Sequence, residues 1–198
     1  MGSRVRRAPP SPAVSPRRRP PRNIVLTGFM GSGKTSVGRA LARLLGWRFR
    51  DLDSIIEGRA RMGVAEVFAS RGEQWFRKVE GKAIFGLGRL RNTVIATGGG
   101  APVRSRNRAL LKAAGLVVYL KVPPSILARR LGTGRGRPLL GPANGNPGRV
   151  EALVCRLLRA RAKHYLKAGL VFGAGRGTPA AVARSLARVL RSRYGGGL

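Results

Sequence analysis

Ile24-Val25-Leu26-Thr27, followed by Gly28-Phe29-Met30-Gly31-Ser32-Gly33-Lys34-Thr35, is the stretch that decides the fold of this chain. The first four residues form a short apolar run, as a parallel strand buried on both faces requires. The next eight match G-x-x-x-x-G-K-[ST] in full. Behind them Val37, Leu41, Leu44 and Leu45 recur at helical spacing, and Gly46 supplies a stop. Strand, glycine-rich turn and helix are the setting in which such a motif wraps a phosphate. The glycines let the backbone close on an anion, and several N–H groups then point at it, helped by the helix N-terminus. Lys34 can reach the β- and γ-phosphates, and the Thr35 hydroxyl is placed to ligate Mg²⁺. The motif implies nucleotide binding with phosphoryl chemistry and leaves the acceptor open.

Working outward, Trp47-Arg48-Phe49-Arg50 alternates like a strand and runs into Asp51. Residues 54–90 are helical in pattern, in two or three pieces. Strands are expected at 94–97, 116–122 and 170–172. Helices are expected after Ser105, which can cap one carrying Leu110 and Leu111, from Pro124 to Leu131, over 149–167, and from Thr178-Pro179 onward with Val182, Leu186, Val189 and Leu190 on one face. Strands alternating with helices predict an α/β domain built on a five-stranded parallel sheet. Residues 132–148, rich in Gly and Pro, read as a mobile loop. The folded domain is expected over 23–193, with a flexible tail at 194–198. Residues 1–22 hold seven Arg and six Pro and no acid, a composition too poor in apolar side chains to offset ordering entropy. They read as a disordered basic extension, with organelle targeting as the minority reading.

The 198 residues carry 40 Lys plus Arg against 7 Asp plus Glu, a net +33. That charge invites a nucleic-acid reading. Against it, aromatic residues make up only 6% and are not interleaved with the basic ones. The basic residues are mostly Arg, in a chain also rich in Gly, Ala and Pro, as a coding bias produces. Hydrophobic residues at 43% suffice for a core, and no apolar run approaches the roughly 18–20 residues of a membrane span. One cysteine, Cys155, excludes an intrachain disulfide and reads as a small apolar residue. The sole histidine, His164, reads as a surface helix position. The smaller term of the charge is the informative one: six of the seven acids lie between Asp51 and Glu80. Glu151, the seventh, reads as helix N-terminal charge.

Asp51-Leu52-Asp53 stands at the end of the second strand, where ligands of parallel α/β sheets collect. Residues i and i+2 of a strand face the same way, so the two carboxylates are expected to point together at the phosphate loop. One can then support a hydrated Mg²⁺ and the other orient or deprotonate an acceptor hydroxyl. Glu73, Arg77 and Glu80 share one helix face. They form either a surface ion-pair ladder or a frame holding Arg77 for a substrate carboxylate. Gly98-Gly99-Gly100 at the end of the third strand suits close approach of a ligand to the main chain.

Together these residues resemble the shikimate kinase family over about residues 23–193. The resemblance is carried by Gly28 to Gly38 (GFMGSGKTSVG), Asp51-x-Asp53-x-x-Ile56-Glu57, Gly72-Glu73-x-x-Phe76-Arg77-x-x-Glu80, Gly98-Gly99-Gly100, Arg137-Pro138-Leu139-Leu140 and Arg161-x-x-x-Tyr165. It implies a three-layer P-loop kinase fold with a mobile lid. It implies transfer of the ATP γ-phosphate to the 3-hydroxyl of shikimate. Gly31, Ser32, Gly33, Lys34, Thr35 and Ser36 would hold the phosphates, with Arg130 and Pro179 flanking the adenine. Asp53 would meet the shikimate hydroxyls and act as base. Arg77 and Arg161 would bind its carboxylate, with Gly98, Gly99 and Gly100 alongside. Thr35 would ligate Mg²⁺ directly, and Asp51 would sit one shell further out. Arg137 would close on the phosphates from the lid.

The chain departs from the family pattern at Gly173 and Gly177, where the adenine side is involved; Arg176 is placed to substitute for an Arg expected at 177. The partners expected are ATP and shikimate, with no membrane and no specific nucleic acid beyond weak nonspecific polyanion binding. A cytoplasmic monomer is expected. The competing readings are another small-molecule kinase of the same fold, acting on gluconate or a nucleoside monophosphate, and a basic nucleic-acid-binding P-loop protein.

Overall fold

The structure is a computed structural model that describes residues 19–132, 140 and 146–195. The expectation for a disordered 1–22 segment falls mostly on residues 1–18, outside the described residues, as do 196–198 of the expected tail.

Strand β1 (Asn23–Thr27) is fully buried and is followed by helix α1 (Lys34–Leu45). Next come β2 (Arg48–Asp51), α2 (Leu52–Ala60) and α3 (Val64–Leu87). Strand β3 (Thr93–Ala96), a short 3₁₀ turn at Ala101–Val103, α4 (Ser105–Ala114) and β4 (Leu116–Lys121) continue the chain. Helices α5 (Pro124–Leu131) and α6 (Pro147–Tyr165), strand β5 (Leu170–Gly173) and helix α7 (Pro179–Tyr194) complete it. All four strand pairings are parallel, in the order β2-β3-β1-β4-β5.

The sheet divides the core into two clusters, because successive strand residues point to opposite faces. Ile24 and Leu26 join Val94, Val118 and Leu120 against α1, α5, α6 and α7. Val25, Ile95 and Val117 face the other way, against α2, α3 and α4. This is the expected three-layer architecture. Asn23 stitches the amino end of the sheet: its side chain donates to the carbonyls of Leu90 and Ala114, both at 2.8 Å, and accepts from Thr93 N–H at 3.2 Å. A buried amide so used leaves little of its bonding capacity unmet.

Several local expectations are corrected. Ser105 is the first residue of α4 and makes no capping bond; Arg104 occupies the cap position. Leu44 and Val189 are exposed, because a helical stripe of finite width leaves its flanking positions in water. Glu151 lies beyond the first turn of α6, where the helix field has decayed; that helix is capped by Asn146, which accepts from Arg149 N–H. The 132–148 span is not all loop: α6 already begins at Pro147, and Leu140 is buried in the core. Tyr194 still belongs to α7, which overruns the expected domain end. Helix α3 breaks at Gly72, whose φ of 74° is the left-handed conformation that glycine adopts without strain. That break accounts for the expected pieces.

Candidate active site

The phosphate motif lies between β1 and α1. Gly33 caps α1 with φ 88°, again a glycine conformation. Lys34 donates from Nζ to the carbonyls of Gly28 (3.1 Å) and Phe29 (2.9 Å), so its ammonium is held inside the loop. Gly31, Ser32, Gly33 and Ser36 line a hollow of about 410 Å³ with Arg130, Gly177 and Pro179. Arg130 reaches across it, donating to the carbonyls of Gly31 (3.3 Å) and Gly175 (3.4 Å). Of the nucleotide-side residues expected from the sequence, Gly31, Ser32, Gly33, Ser36, Arg130 and Pro179 border this one space, whereas Lys34 and Thr35, the first two residues of α1, do not line it. Arg137 lies outside the described residues.

Asp51 has two functions. Its Oδ2 accepts from Thr35 Oγ1 at 2.8 Å, and its Oδ1 accepts from the Asp53 N–H at 3.1 Å, capping α2. The second bond corrects the sequence reading. Asp53 is not on the strand with Asp51 but in the first turn of α2. The capping carboxylate, not strand alternation, sets their relation. An acid in a first helical turn is also favoured by the helix field.

Asp53 lines a second cleft, of about 450 Å³, with Met30, Glu57, Phe68, Phe76, Arg77, Glu80 and Gly98 to Gly100. Burial raises its pKa from 3.8 to about 6; Asp51 adds to the rise, and Lys34 opposes it. The group sits where a carboxylate can exchange a proton with a hydroxyl near neutral pH.

Arg77 sits opposite, from α3. Its Nε donates to Glu73 at 3.1 Å and its Nη1 to both oxygens of Glu80, at 3.2 and 3.1 Å. Glu73 is largely exposed but Glu80 is 1% exposed. Glu80 is further held by Asn107 Nδ2 at 3.2 Å. Burial pushes the Glu80 carboxyl up, and Arg77 pulls it back down. Only the Glu73 half is a surface ladder. The Glu80 half is a buried brace that aims the guanidinium.

Two of the three glycines after β3 stand against these two side chains, and Gly99 stands against the backbone of the phosphate loop, where a Cβ would lie 3.4 Å from the Gly28 carbonyl oxygen and the Met30 nitrogen. A Cβ on Gly98 would lie 2.8 Å from Asp53 Oδ1, and one on Gly100 would lie 3.0 Å from both terminal nitrogens of Arg77. The sequence leads to an expectation of close ligand approach here; at Gly98 and Gly100 the cleft's own charged groups also press on the main chain. Arg161 stands over the Phe29 ring, 5.9 Å from its centre, with Nη1 buried and without a hydrogen-bond partner among the described residues. Unlike Arg77, it is not among the residues lining the cleft.

Sequence reasoning offers Glu80 only as one of two readings, ladder or frame for Arg77, and assigns no site role to Glu57 or to the apolar wall of Met30, Phe68 and Phe76. The i, i+3 spacing from Arg77 was the signal for Glu80. No sequence spacing carried Phe68, because the break at Gly72 resets the helical phase. Among the described residues no group of three or more His, Cys, Asp or Glu is arranged to hold a metal.

A nucleotide hollow and an acceptor cleft, meeting at a phosphate loop on a five-stranded parallel sheet, define a P-loop phosphotransferase acting on a small molecule. The family model described as shikimate kinase matches residues 30–191. A shikimate kinase of Geobacter sulfurreducens is 50% identical over 149 residues, covering 75% of this chain and 80% of that protein. One of Moorella thermoacetica is 44% identical over 172 residues, covering 87% and 96%. Among solved structures, the shikimate kinase of Acinetobacter baumannii in complex with shikimate superposes with a TM-score of 0.79. It is 36% identical, covering 86% of this chain and 93% of that one. The chain belongs to the shikimate kinase family and is an ATP-using kinase. The gluconate, nucleoside monophosphate and nucleic-acid readings give way to this one.

Proposed function

We propose that the chain transfers the γ-phosphate of ATP to the 3-hydroxyl of shikimate, with the residues of the two clefts in the following roles. The single observation that carries the assignment is Asp53: a carboxylate raised to about 6, in one cleft with a braced Arg77, beside the phosphate loop. Gly31, Ser32, Gly33, Lys34, Thr35 and Ser36 bind the phosphates through N–H groups, ammonium and hydroxyls. Arg130 and Pro179 border the adenine. Asp53 orients the 3-hydroxyl and takes its proton as the new P–O bond forms. Arg77 and the buried, unpartnered Arg161 Nη1 bind the carboxylate of the acceptor. Gly98, Gly99 and Gly100 give it main-chain contacts. The apolar wall of Phe68 and Phe76 excludes water, which disfavours ATP hydrolysis. Arg137 completes the charge around the phosphates from the segment between α5 and α6.

The oxygen donors Thr35 Oγ1 and Asp51, 2.8 Å apart next to the phosphate loop, suit Mg²⁺. That ion takes one or two protein oxygens and keeps phosphates and waters for the rest. When bound, Mg²⁺ neutralises charge on the transferring phosphates. A monomer is the assembly expected, and ATP as donor suits a cytoplasmic enzyme. Among the described residues no helix is long and apolar enough to cross a membrane.

The test is ATP turnover against shikimate, gluconate and nucleoside monophosphates. Shikimate-dependent turnover exceeding the others by orders of magnitude is expected. Equal turnover across the panel overturns the assignment.

A further inference from the structure

We propose that Tyr165 is the positioning residue of the acceptor subsite, fixing the Gly99–Gly100 peptide to the helix that carries Arg161. The inference rests on the acceptor site proposed above.

Tyr165 ends α6 and has no exposed surface. Its hydroxyl donates to the Gly99 carbonyl at 2.6 Å. Its ring stacks on Tyr119 of β4, with centres 5.0 Å apart and planes 20° apart. Arg161 stands one turn earlier on the same helix, and its charge acts on the phenol against the effect of burial. Burial pushes the phenol up to about 12, so it remains a donor across the working pH range. One hydroxyl thus ties the glycine run after β3 to the helix that carries Arg161.

The bond matters because of what it controls. The Gly99 carbonyl and the Gly100 N–H belong to one planar trans peptide and point in opposite directions. With the carbonyl held by Tyr165, the Gly100 N–H is turned away from Tyr165, and the same glycines line the cleft together with Arg77. Three consecutive glycines are the backbone easiest to rotate. Without an anchor that peptide samples other orientations, and its N–H no longer adds to the field of Arg77 and Arg161. The Tyr119 ring contributes packing, so the two functions of Tyr165, ring and hydroxyl, are separable by substitution.

The experiment is steady-state kinetics and thermal unfolding of Tyr165→Phe, with Tyr119→Phe as the control that keeps the stack. Expected for Tyr165→Phe is a rise of about tenfold in KM for shikimate, with KM for ATP within about threefold of wild type. Its Tm is expected to fall by no more than about 4 °C. Tyr119→Phe is expected to leave both KM values unchanged. A shikimate KM within twofold of wild type, whatever happens to Tm or kcat, overturns the proposal, because a purely structural tyrosine moves Tm and leaves the KM ratio alone. Should the Phe variant not fold, 4-aminophenylalanine at position 165 retains a weaker donor. It is expected to raise shikimate KM by an intermediate factor, and an unchanged KM there overturns the proposal equally. A wild-type protein that does not phosphorylate shikimate refutes the acceptor assignment itself, and the wild-type baseline reveals that before any variant is compared.

Discussion

Asp53 is held in a position where its charge is costly. Its carboxyl is raised from 3.8 to about 6, so between those values the folded protein retains a proton that the unfolded chain has released. Stability therefore falls as pH rises through that window, and the cost persists above it. The reaction needs the ionised form, so activity should run the other way. kcat is expected to climb with pH to a plateau above about 6 to 7. Asp53→Asn should abolish turnover, leave nucleotide binding intact, and unfold at or above the wild-type temperature at pH 8. Retention of most of kcat would remove Asp53 from the proposed role. Arg77 is the complementary case. Arg77→Ala should weaken acceptor binding and also strand the Glu80 carboxylate, costing about 3 kcal/mol of stability. The double variant Arg77→Ala/Glu80→Gln should regain much of the stability and none of the acceptor affinity. Denaturant unfolding and shikimate KM, measured on both, separate the two losses.

At the scale of elements, the sheet's amino end depends on one side chain. Asn23 bonds to groups from three neighbouring segments. Asn23→Ala leaves buried donors and acceptors unmet and should cost about 2–4 kcal/mol with little change in KM for either substrate, as the site lies at the other end of the strands. A variant as stable as wild type would mean that water replaces the amide. Most elements were legible beforehand because their signals are local: an apolar run at Ile24 to Thr27, a glycine stop at Gly46, a proline at the start of α5. The misreadings have a common cause. Asp53 was placed by strand alternation because extended pattern runs to Asp51, yet the Asp51 side chain begins a helix at the next residue. The brace on Arg77 needed the depth of Glu80 and the contact with Asn107, 27 residues away, to be told from a surface ladder. The glycines after β3 read from sequence as room for close approach of a ligand, but which of the protein's own groups press on them is a property of three dimensions.

For the whole molecule, the +33 net charge belongs to a protein whose site uses only a few of its cations. Like charges spread over one small body repel, and salt screens them. Raising ionic strength from about 0.01 M to about 0.15 M should therefore raise Tm, and a scan showing no change would mean that the charges are already too far apart to matter. Duplex DNA should bind without sequence preference and be released by physiological salt. The strand order has a consequence of a different kind. Asn23 opens the central strand, yet its partners lie 70 and 91 residues further along the chain. During synthesis the segment that binds phosphate emerges early and waits for β3 and β4 before it has a sheet to stand on. Such distant pairing makes for slow folding. A chain released before Leu116 carries every letter of the phosphate motif and none of its architecture, so nucleotide affinity should appear abruptly with length, in step with completion of the central three strands.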